Sequence, residues 1–208
     1  MEHYLNFSNT NIWSEIWPEL ALALAAIVLL GIDLFRKSDK PIVSIGSLAI
    51  VFQAGLLIFH LFDYLAWHHT FDRETFSGML HQGIQGDVMR TFFLLSSLLV
   101  SVLGHQYLKN KKLRAGEFHH LTMLATAGLM LLVQSNHFIM LFVALETVAV
   151  CFYTLVAYNR ESAKALEAGI KYLIFGALSS SLLLFGIVLL YGVAGNPEAW
   201  GANYIGFE

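Results

Sequence analysis

Two ionisable side chains within apolar stretches are the residues of this sequence best suited to chemistry. Glu146 lies near the middle of the run from His137 to Tyr158, and Lys171 lies in the next apolar run. Charged groups are costly in hydrocarbon, and in membrane helices they usually line paths for ions or protons. The protonation of such a carboxyl depends on its neighbours, as a proton relay requires. We therefore predict proton transfer at Glu146. The alternative is a structural carboxylate held by a neighbouring helix.

The partner of Glu146 has to come from another helix or from water. The neighbours on its own helical face carry no positive charge and are Ala149, Val150 and Tyr153. Residues three, four and seven positions apart share one side of a helix, so these three surround the carboxyl locally.

Lys171 has two interpretations. Glu167 and Lys164 precede it by four and seven residues, and a glutamate four residues before a lysine favours an ion pair. An interfacial stripe whose lysine extends toward water explains this pattern. In a helical hairpin that turns near Arg160–Ser162, however, Glu146 and Lys171 would come within about two turns of the same depth. A functional contact between them stays equally open, and Glu167 is an additional candidate for the relay.

The composition is that of a membrane protein. Hydrophobic residues make up 57% of the chain and charged residues 13%. The apolar residues form runs of about 20, the length that crosses roughly 30 Å of hydrocarbon. We predict an all-α integral membrane protein with six transmembrane helices at Ile16–Phe35, Ile42–Trp67, Val88–Leu108, Phe118–Val133, His137–Tyr158 and Ala165–Ala194. The fourth and fifth must form a tight helical hairpin, since few residues separate them.

No soluble domain is predicted. The longest stretch between spans, about His68 to Asp87, has about 20 residues and is too short for a core of its own. The sequence has no Gly-rich phosphate loop or dinucleotide fingerprint. A formal net charge of −3 without a basic patch gives no reason to expect nucleic acid. The N-terminus lacks the features of a signal peptide, so we expect the first span to be retained.

The basic residues predict the orientation. Most of the twelve lysines and arginines fall in the first, third and fifth loops, at Arg36, Lys37, Lys40, Lys109, Lys111, Lys112, Arg114, Arg160 and Lys164. Short loops rich in lysine and arginine face the cytoplasm. We therefore expect the odd-numbered loops to be cytoplasmic and both ends of the chain to lie outside, with only Arg73 and Arg90 on the outer side.

Nine histidines raise the question of a haem or metal site, but most lie near predicted helix ends or in loops. Bis-histidine haem needs imidazoles from facing helices. Only His60 and His137, both near the outer end, stay open as such a pair. We predict no metal ligands and no cofactor-binding residues in this chain. His119 and His120 are interpreted as an interfacial pair, as are the acidic residues at helix ends, namely Glu15, Glu19, Asp33 and Asp63.

The last predicted helix carries a small-xxx-small pair, Gly176 and Ser180. Such pairs permit close approach of a neighbouring helix in lipid. Packing is the interpretation we prefer, although the hydroxyl groups of this helix could also hold water for a proton path.

Longer stretches around the charged residues match a known pattern. The segments GEF from Gly116, LATAGLMLLVQSNHFIMLFVALETV and ESAKALEAGIKYLIFGALSSSLLLFGIVLLYGVAG resemble subunit N of the proton-pumping NADH–quinone oxidoreductases, or respiratory complex I. The likeness covers about Gly116 to Gly195, with weaker echoes at Pro18-Glu19 and at Asp33-Leu34-Phe35. The pattern EAxxKYLxxGA from Glu167 to Ala177 favours subunit N over subunits L and M and over the multisubunit cation/proton antiporters.

The resemblance implies an antiporter-like helical bundle of about fourteen helices with two inverted five-helix repeats. In it, residues 1–115 would form helices one to three, and residues 116–208 the truncated start of the first repeat. The chain would then be an N-terminal portion of a longer protein, or its remainder a separate chain. The seventh-helix lysine expected to pair with Glu146 would lie in that remainder. Ala144, Thr147 and Val148 depart from the family pattern but leave both ionisable groups in place.

The resemblance also implies a function. Glu146 and Lys171 would belong to a row of intramembrane charges that transfers protons when quinone reduction elsewhere shifts the pairing along it. The chain would hold no redox cofactor, while NADH, flavin, iron–sulfur clusters and quinone would bind to partner subunits. Its partners would be other membrane subunits, the lipid bilayer and the rest of its own fold, in the inner membrane of a bacterium. The alternatives are a subunit of a multisubunit sodium/proton antiporter and a non-catalytic membrane scaffold.

Overall fold

The computed structural model describes residues 13, 15–35, 43–66, 73–76, 78–111 and 116–194. These residues form six helices and one short hairpin: α1 (Trp17–Phe35), α2 (Val43–Ala66), β1 (Arg73–Thr75), β2 (Leu80–Gln82), α3 (Ile84–Lys111), α4 (Gly116–Gln134), α5 (Phe138–Val156) and α6 (Ala163–Ala194). The six predicted helices are confirmed, and α3 differs most because it begins four residues before its predicted start. A helix bonds its own backbone groups internally, which hydrocarbon demands of any spanning segment.

Five of the six helices in the described part of the chain are long and apolar enough to cross a membrane, by length and composition. The exception, α4, carries histidine, threonine and glutamine along its length. It is also the helix whose residues are most often buried, among them His119, His120, Thr122, Thr126 and Gln134. Because other helices surround α4, its polar side chains face protein rather than lipid.

Helix α4 is the centre of the bundle. It packs against α1, α2, α3 and α5, and the buried cluster of Leu22, Ala49, Leu94, Met123 and Met130 joins the first four helices around it. The prediction of a boundary near residue 115 stays a prediction, although α4 shares this core with the helices before that point.

The register of α4 follows from contacts at its two ends. At one end Gln134 bonds to Glu19 of α1 and to Arg90 of α3. At the other end the ring of His119 contacts the ring of His105 of α3, with centroids 5.6 Å apart. We refer to these as the hairpin end, where β1 and β2 lie, and the histidine end. About fifteen residues separate them along the helix, which corresponds to roughly 22 Å.

Arg90 joins three elements at the hairpin end. Its Nε donates to Glu19 Oε1 at 2.7 Å, and its guanidinium also donates to the Gln134 side chain at 2.7 Å and to Asp87 at 3.1 Å. A further bond reaches the backbone oxygen of Glu15 at 2.7 Å. The side chains of Arg90 and Glu19 are only 6% and 2% exposed. Glu19, expected at the interface, is therefore buried in protein, and its partner is an arginine 71 residues away along the chain.

The stretch predicted to be too short for a core of its own contains the hairpin of β1 and β2, and this hairpin packs on the bundle. Leu80 is buried and forms a β-bridge with Ser135, between α4 and α5. The Asn136 backbone N–H donates to the Met79 oxygen at 2.9 Å. The turn is tight because Phe76 and Gly78 both have positive φ, at 53° and 81°. The prediction missed this hairpin because its strands have three residues each and are held by contacts distant in sequence.

We predict that the two Arg–Glu pairs among the described residues, each with an N–O distance of 2.7 Å, differ sharply in what they contribute to stability. Arg90→Gln should lower the free energy of unfolding by about 3–5 kcal/mol, because it leaves Glu19 buried without its cation. Arg160→Gln, which breaks the pair with Glu117, should cost less than about 1 kcal/mol, because the Arg160 side chain is 74% exposed.

Unfolding in mixed detergent micelles, followed by circular dichroism, measures both values. Equal losses in the two variants would contradict the conclusion that the buried Arg90 network stabilises the bundle more than the exposed Arg160–Glu117 pair does.

Candidate functional site

The predicted site residues lie on α5 and α6, which form an antiparallel pair. His137 caps α5: its Nδ1 accepts a hydrogen bond from the Ile139 backbone N–H at 3.2 Å. Its Nε2 lies 3.0 Å from the Tyr191 hydroxyl of α6. An Nδ1 that accepts leaves the proton of a neutral imidazole on Nε2, so Nε2 donates to Tyr191. Burial lowers the pKa of His137, which favours this neutral form. Both ring nitrogens are thus engaged, which argues against His137 as half of a haem-ligating pair.

Small residues bring α6 close to α5. A Cβ at Gly169 would collide with Ala157, and a Cβ at Gly176 would collide with the phenol of Tyr153. These two contacts and the bond from His137 to Tyr191 fix the register of the two helices. The close approach predicted from Gly176 therefore occurs, and Tyr153 is the residue that occupies the space.

This register separates Glu146 from Lys171. Gly169 lies against Ala157, and Tyr191 lies against His137, so Lys171 lies about nine to eleven residues from Glu146 in depth. At 1.5 Å per residue the separation is roughly 15 Å, or about three turns. The separation exceeds the two turns expected from the sequence, because α6 reaches the level of Ala157 only at Gly169 and its first residues extend beyond the end of α5. A direct Glu146–Lys171 contact is absent among the ion pairs of the described residues.

Glu146 is half-buried on α5, and its Oε1 is a buried atom for which the described residues supply no hydrogen bond. A carboxylate in this position has lost hydration that nothing in this part of the chain replaces. Its charge acts electrostatically on Tyr153, seven residues along the same helix. An intramembrane carboxyl oxygen without a hydrogen bond from the described residues is compatible with the predicted relay.

Lys171 is held by its own helix. Its Nζ donates to Glu167 Oε1 at 2.5 Å, as the four-residue spacing predicts. The two side chains are 65% and 64% exposed, so the pair lies on the outer face of α6. The ion pair within α6, one of the two interpretations of Lys171, is therefore the contact that this structure shows.

Tyr153 links the two groups. Its ring contacts that of Tyr172 edge to face, with centroids 5.0 Å apart at 86°. Tyr172 immediately follows Lys171, and Tyr153 lies within electrostatic reach of Glu146. The sequence identified Tyr153 as a helical neighbour of Glu146 but gave no reason to assign it a role. The signal that could have found it is Gly176, since a glycine on the facing helix makes room for a large side chain.

The interfacial interpretation of His119 and His120 is wrong in one respect. Both lie near the start of α4, as predicted, but they are buried in the bundle, with 0% and 4% of their surfaces exposed. Their neighbours are His105 and Asp33 on other helices, the latter 4.0 Å from His120 Nε2. Within the described ranges, no group of three or more histidine, cysteine or acidic side chains has an arrangement that could hold a metal ion.

Comparison with known proteins extends these findings. The family model described as "NADH:quinone oxidoreductase/Mrp antiporter, TM" matches residues 135–200, a range that includes Glu146, Glu167 and Lys171. NADH-quinone oxidoreductase subunit N 1 of Opitutus terrae is 47% identical over 97% of this chain and 39% of its own length. The N subunit of Xanthomonas euvesicatoria is 38% identical over 89% of this chain and 37% of its own length.

Two solved structures have the same fold. A chain of respiratory complex I from Thermus thermophilus, with bound aureothin, matches with a TM-score of 0.66 and 26% identity, over 86% of this chain and 37% of that one. A chain of the membrane-bound sulfane sulfur reductase, an archaeal respiratory membrane complex, matches with a TM-score of 0.63. At 22% identity, the second match shows the fold alone.

The apolar helices, the charged residues within them and the similarity to known membrane subunits together define a multi-pass membrane protein of antiporter-like architecture. The chain belongs to the family of NADH-quinone oxidoreductase N subunits and matches the N-terminal portion of its members. It spans about two fifths of the length of the curated relatives it matches.

We predict that Gly176→Ala destabilises the α5–α6 pair by about 1–3 kcal/mol, because the added methyl group displaces the Tyr153 phenol. Gly186→Ala on the same helix is the matched control. A Cβ there meets nothing within 4 Å, and alanine favours the helix by up to about 1 kcal/mol. Thermal unfolding midpoints in detergent should therefore fall for the first variant and stay or rise for the second. Equal shifts would show that Tyr153 does not depend on Gly176 for its position.

Proposed function

We propose that this chain is part of a membrane-arm subunit that translocates protons in an NADH-quinone oxidoreductase, with Glu146 as its proton-accepting group. Glu146 carries this proposal, since its carboxyl oxygen is buried in a membrane helix without a hydrogen bond from the described residues. Intramembrane carboxylates of this kind mark proton paths more often than they mark packing. The named relatives, which are N subunits, support the assignment to the complex.

The proposed mechanism is electrostatic. A cation that approaches Glu146 stabilises the carboxylate and releases its proton, whereas a cation that withdraws favours proton uptake. When two ionisable groups are coupled in this way, their protonation states describe the pair and cannot be assigned to either residue alone. Lys171 is turned toward Glu167 and lies about three turns away. We therefore assign the direct partner of Glu146 to a lysine on a further helix, as the resemblance implies.

Tyr153 gives the site a connection along the helices. Its contact with Tyr172 joins the region of α5 near Glu146 to the region of α6 that carries Lys171 and Glu167. Phenolic hydroxyl groups both donate and accept hydrogen bonds. We propose that Lys171 and Glu167 form the next exchangeable station on this path, with Tyr153 between the stations.

A second candidate is a subunit of a sodium/proton antiporter assembly. The matching family model supports it, since its description includes Mrp antiporters together with NADH:quinone oxidoreductase. The two functions are distinguished by purification from native membranes. Co-purification with an NADH-oxidising, quinone-reducing activity supports the first, whereas sodium-dependent proton exchange without that activity supports the second.

Glu146→Gln should reduce proton translocation by at least about tenfold, because the amide keeps the size of the side chain but cannot take up the proton. Inside-out membrane vesicles that oxidise NADH, with a fluorescent probe of the pH gradient, provide the measurement. Glu161→Gln is the matched control, since Glu161 is an exposed carboxylate in the α5–α6 connection. Unchanged pumping in Glu146→Gln, in a complex that assembles normally, would rule out the assigned role.

Lys171→Met should reduce translocation by about twofold or more, and Lys171→Arg should retain more of it by keeping the charge beside Glu167. If Lys171 has only a structural role, as the membrane-scaffold hypothesis requires, both variants should pump protons at the unaltered rate once the complex has assembled. The same vesicle assay, normalised to NADH oxidation, separates the two outcomes.

A further inference from the structure

A row of buried polar side chains crosses the bundle between α2, α3 and α4, away from Glu146. It begins at the histidine end with His119 and His105, and it ends beside the Arg90 network. We call this row the polar file. Its buried members are His119, Ser101, Gln53, Ser97 and His60, and its sixth member is the half-buried His105, whose Nδ1 is a buried atom.

The file begins where imidazoles converge on a glycine. A Cβ at Gly46 of α2 would lie 2.5 Å from His105 Nδ1 and 2.8 Å from His119 Nε2. Glycine at this position therefore leaves room for both rings to meet the α2 backbone. Both nitrogens of His119 and Nδ1 of His105 are buried and lack a hydrogen-bond partner among the described residues. His120 beside them has the same property at both of its nitrogens.

The middle of the file follows from helix register. Because Gly46 faces His105, a residue seven positions further on α2 faces a residue seven positions earlier on α3 in this antiparallel pair. Gln53 thus lies at the level between Ser97 and Ser101, and His60 lies near the level of Arg90. Gln53 and Ser101 are fully buried, and Ser97 is 6% exposed. The side-chain polar atoms of these three residues have no hydrogen-bond partner in the described part of the chain.

It is unusual for so many buried polar groups along one row to lack a hydrogen-bond partner among the described residues. A buried donor or acceptor without a partner costs free energy comparable to a lost hydrogen bond. Single cases in native proteins are commonly satisfied by ordered water, which bonds to two to four such groups. Apolar side chains would fill this seam at lower cost, and Leu56, Leu57 and Leu94 do so on the same faces.

We propose that the polar file binds a chain of water molecules and that His105, His119 and His120 exchange protons with it. Helices α1 to α4 would then contain a hydrated proton path of their own, from the histidine end to the Arg90 network. Neutral imidazole both donates and accepts hydrogen bonds, so a ring can take a proton from water on one side and release one on the other. The path goes beyond the proposed role of Glu146 and does not depend on it.

The charged groups around the imidazoles allow this exchange. From α1, Asp33 lies 4.0 Å from His120, and its side chain is 20% exposed, which connects the cluster to the surface. From α4 itself, Glu117 acts on His120 and is paired with Arg160. Burial of His119, and then the neighbouring imidazoles of His105 and His120, disfavour its protonated form, so its ring is neutral most of the time and is protonated only transiently. The described residues of α2 place no charged side chain at this end.

Hydrogen–deuterium exchange at the imidazole C2 position, read by mass spectrometry, tests the proposal without reference to pumping. In this exchange a base derived from water removes the proton on C2 of a protonated ring. The rate therefore reports both the protonation and the hydration of each histidine. His81, an exposed residue of strand β2, is the internal reference in the same sample. The protein is measured in native membranes or in nanodiscs with the subunits that accompany it.

A hydrated file predicts that exchange at His119 is measurable and within about a thousandfold of that at His81, although no part of the His119 side chain is on the surface. Ser101→Val, which places a methyl group where the hydroxyl was and another beside it, should slow His119 by about tenfold or more and leave His81 unchanged. The matched control is Ser181→Val on the exposed face of α6, which should change neither rate.

Two outcomes would overturn the proposal. Exchange at His119 too slow to detect in the unaltered protein would mean a dry, structural cluster. Rapid exchange that Ser101→Val leaves unaltered would mean that water reaches the histidines from the Asp33 side alone, without a file. The first measurement needs no variant, so the proposal stays testable even if Ser101→Val fails to fold. Loss of pumping in Glu146→Gln bears on neither outcome.

Discussion

The buried contact between Arg90, Glu19 and Gln134 is the interaction on which the rest of the bundle depends. Lipid offers no hydrophobic drive for one apolar helix to pack on another, so polar contacts and close packing must specify the arrangement. The guanidinium meets this need because its planar fork can bond to several partners at once. In this chain it reaches a carboxylate, an amide and a backbone carbonyl from different segments, and so fixes the register of α1, α3 and α4 together.

The position of α4 follows from that register. With its end tied by Gln134, the helix runs through the middle of the bundle and brings His119 and His120 into protein rather than to the lipid boundary. A helix in this position can carry polar residues that a lipid-facing helix cannot. Its composition, which falls short of a typical membrane span, is thus a consequence of burial.

The α5–α6 pair obeys a different constraint. Small residues, rather than polar bonds, bring these helices together at Gly169 and Gly176, and the bond between His137 and Tyr191 fixes the far end. The resulting register separates Glu146 from Lys171 and leaves most side chains of α6 exposed on the surface of the described bundle. The Glu146 carboxyl group, whose Oε1 has no hydrogen bond from the described residues, and the exposed Lys171–Glu167 pair are therefore parts of one arrangement, and the same close packing produces both.

Local features of the site could be predicted, since they depend on spacing within one helix. The pairing of Glu167 with Lys171 is such a case, because residues four positions apart meet on every helix. The partner of Glu19 could not be predicted, because it lies 71 residues away, and its identity depends on which helices pack together. Tyr153 falls between these cases: its place beside Glu146 was evident, but its contact with Tyr172 required the register of α6.

By itself, the sequence determined six apolar helices, the tight α4–α5 connection and the presence of a carboxylate in a membrane helix. Run length, helical spacing and the cost of charge in hydrocarbon suffice for those conclusions. Only the tertiary structure decided that Arg90 meets Glu19, that His119 is buried, and that Glu146 stands about three turns from Lys171. The physical reason is that helix register and neighbour choice are set by contacts between distant segments, and periodicity within one segment carries no information about them.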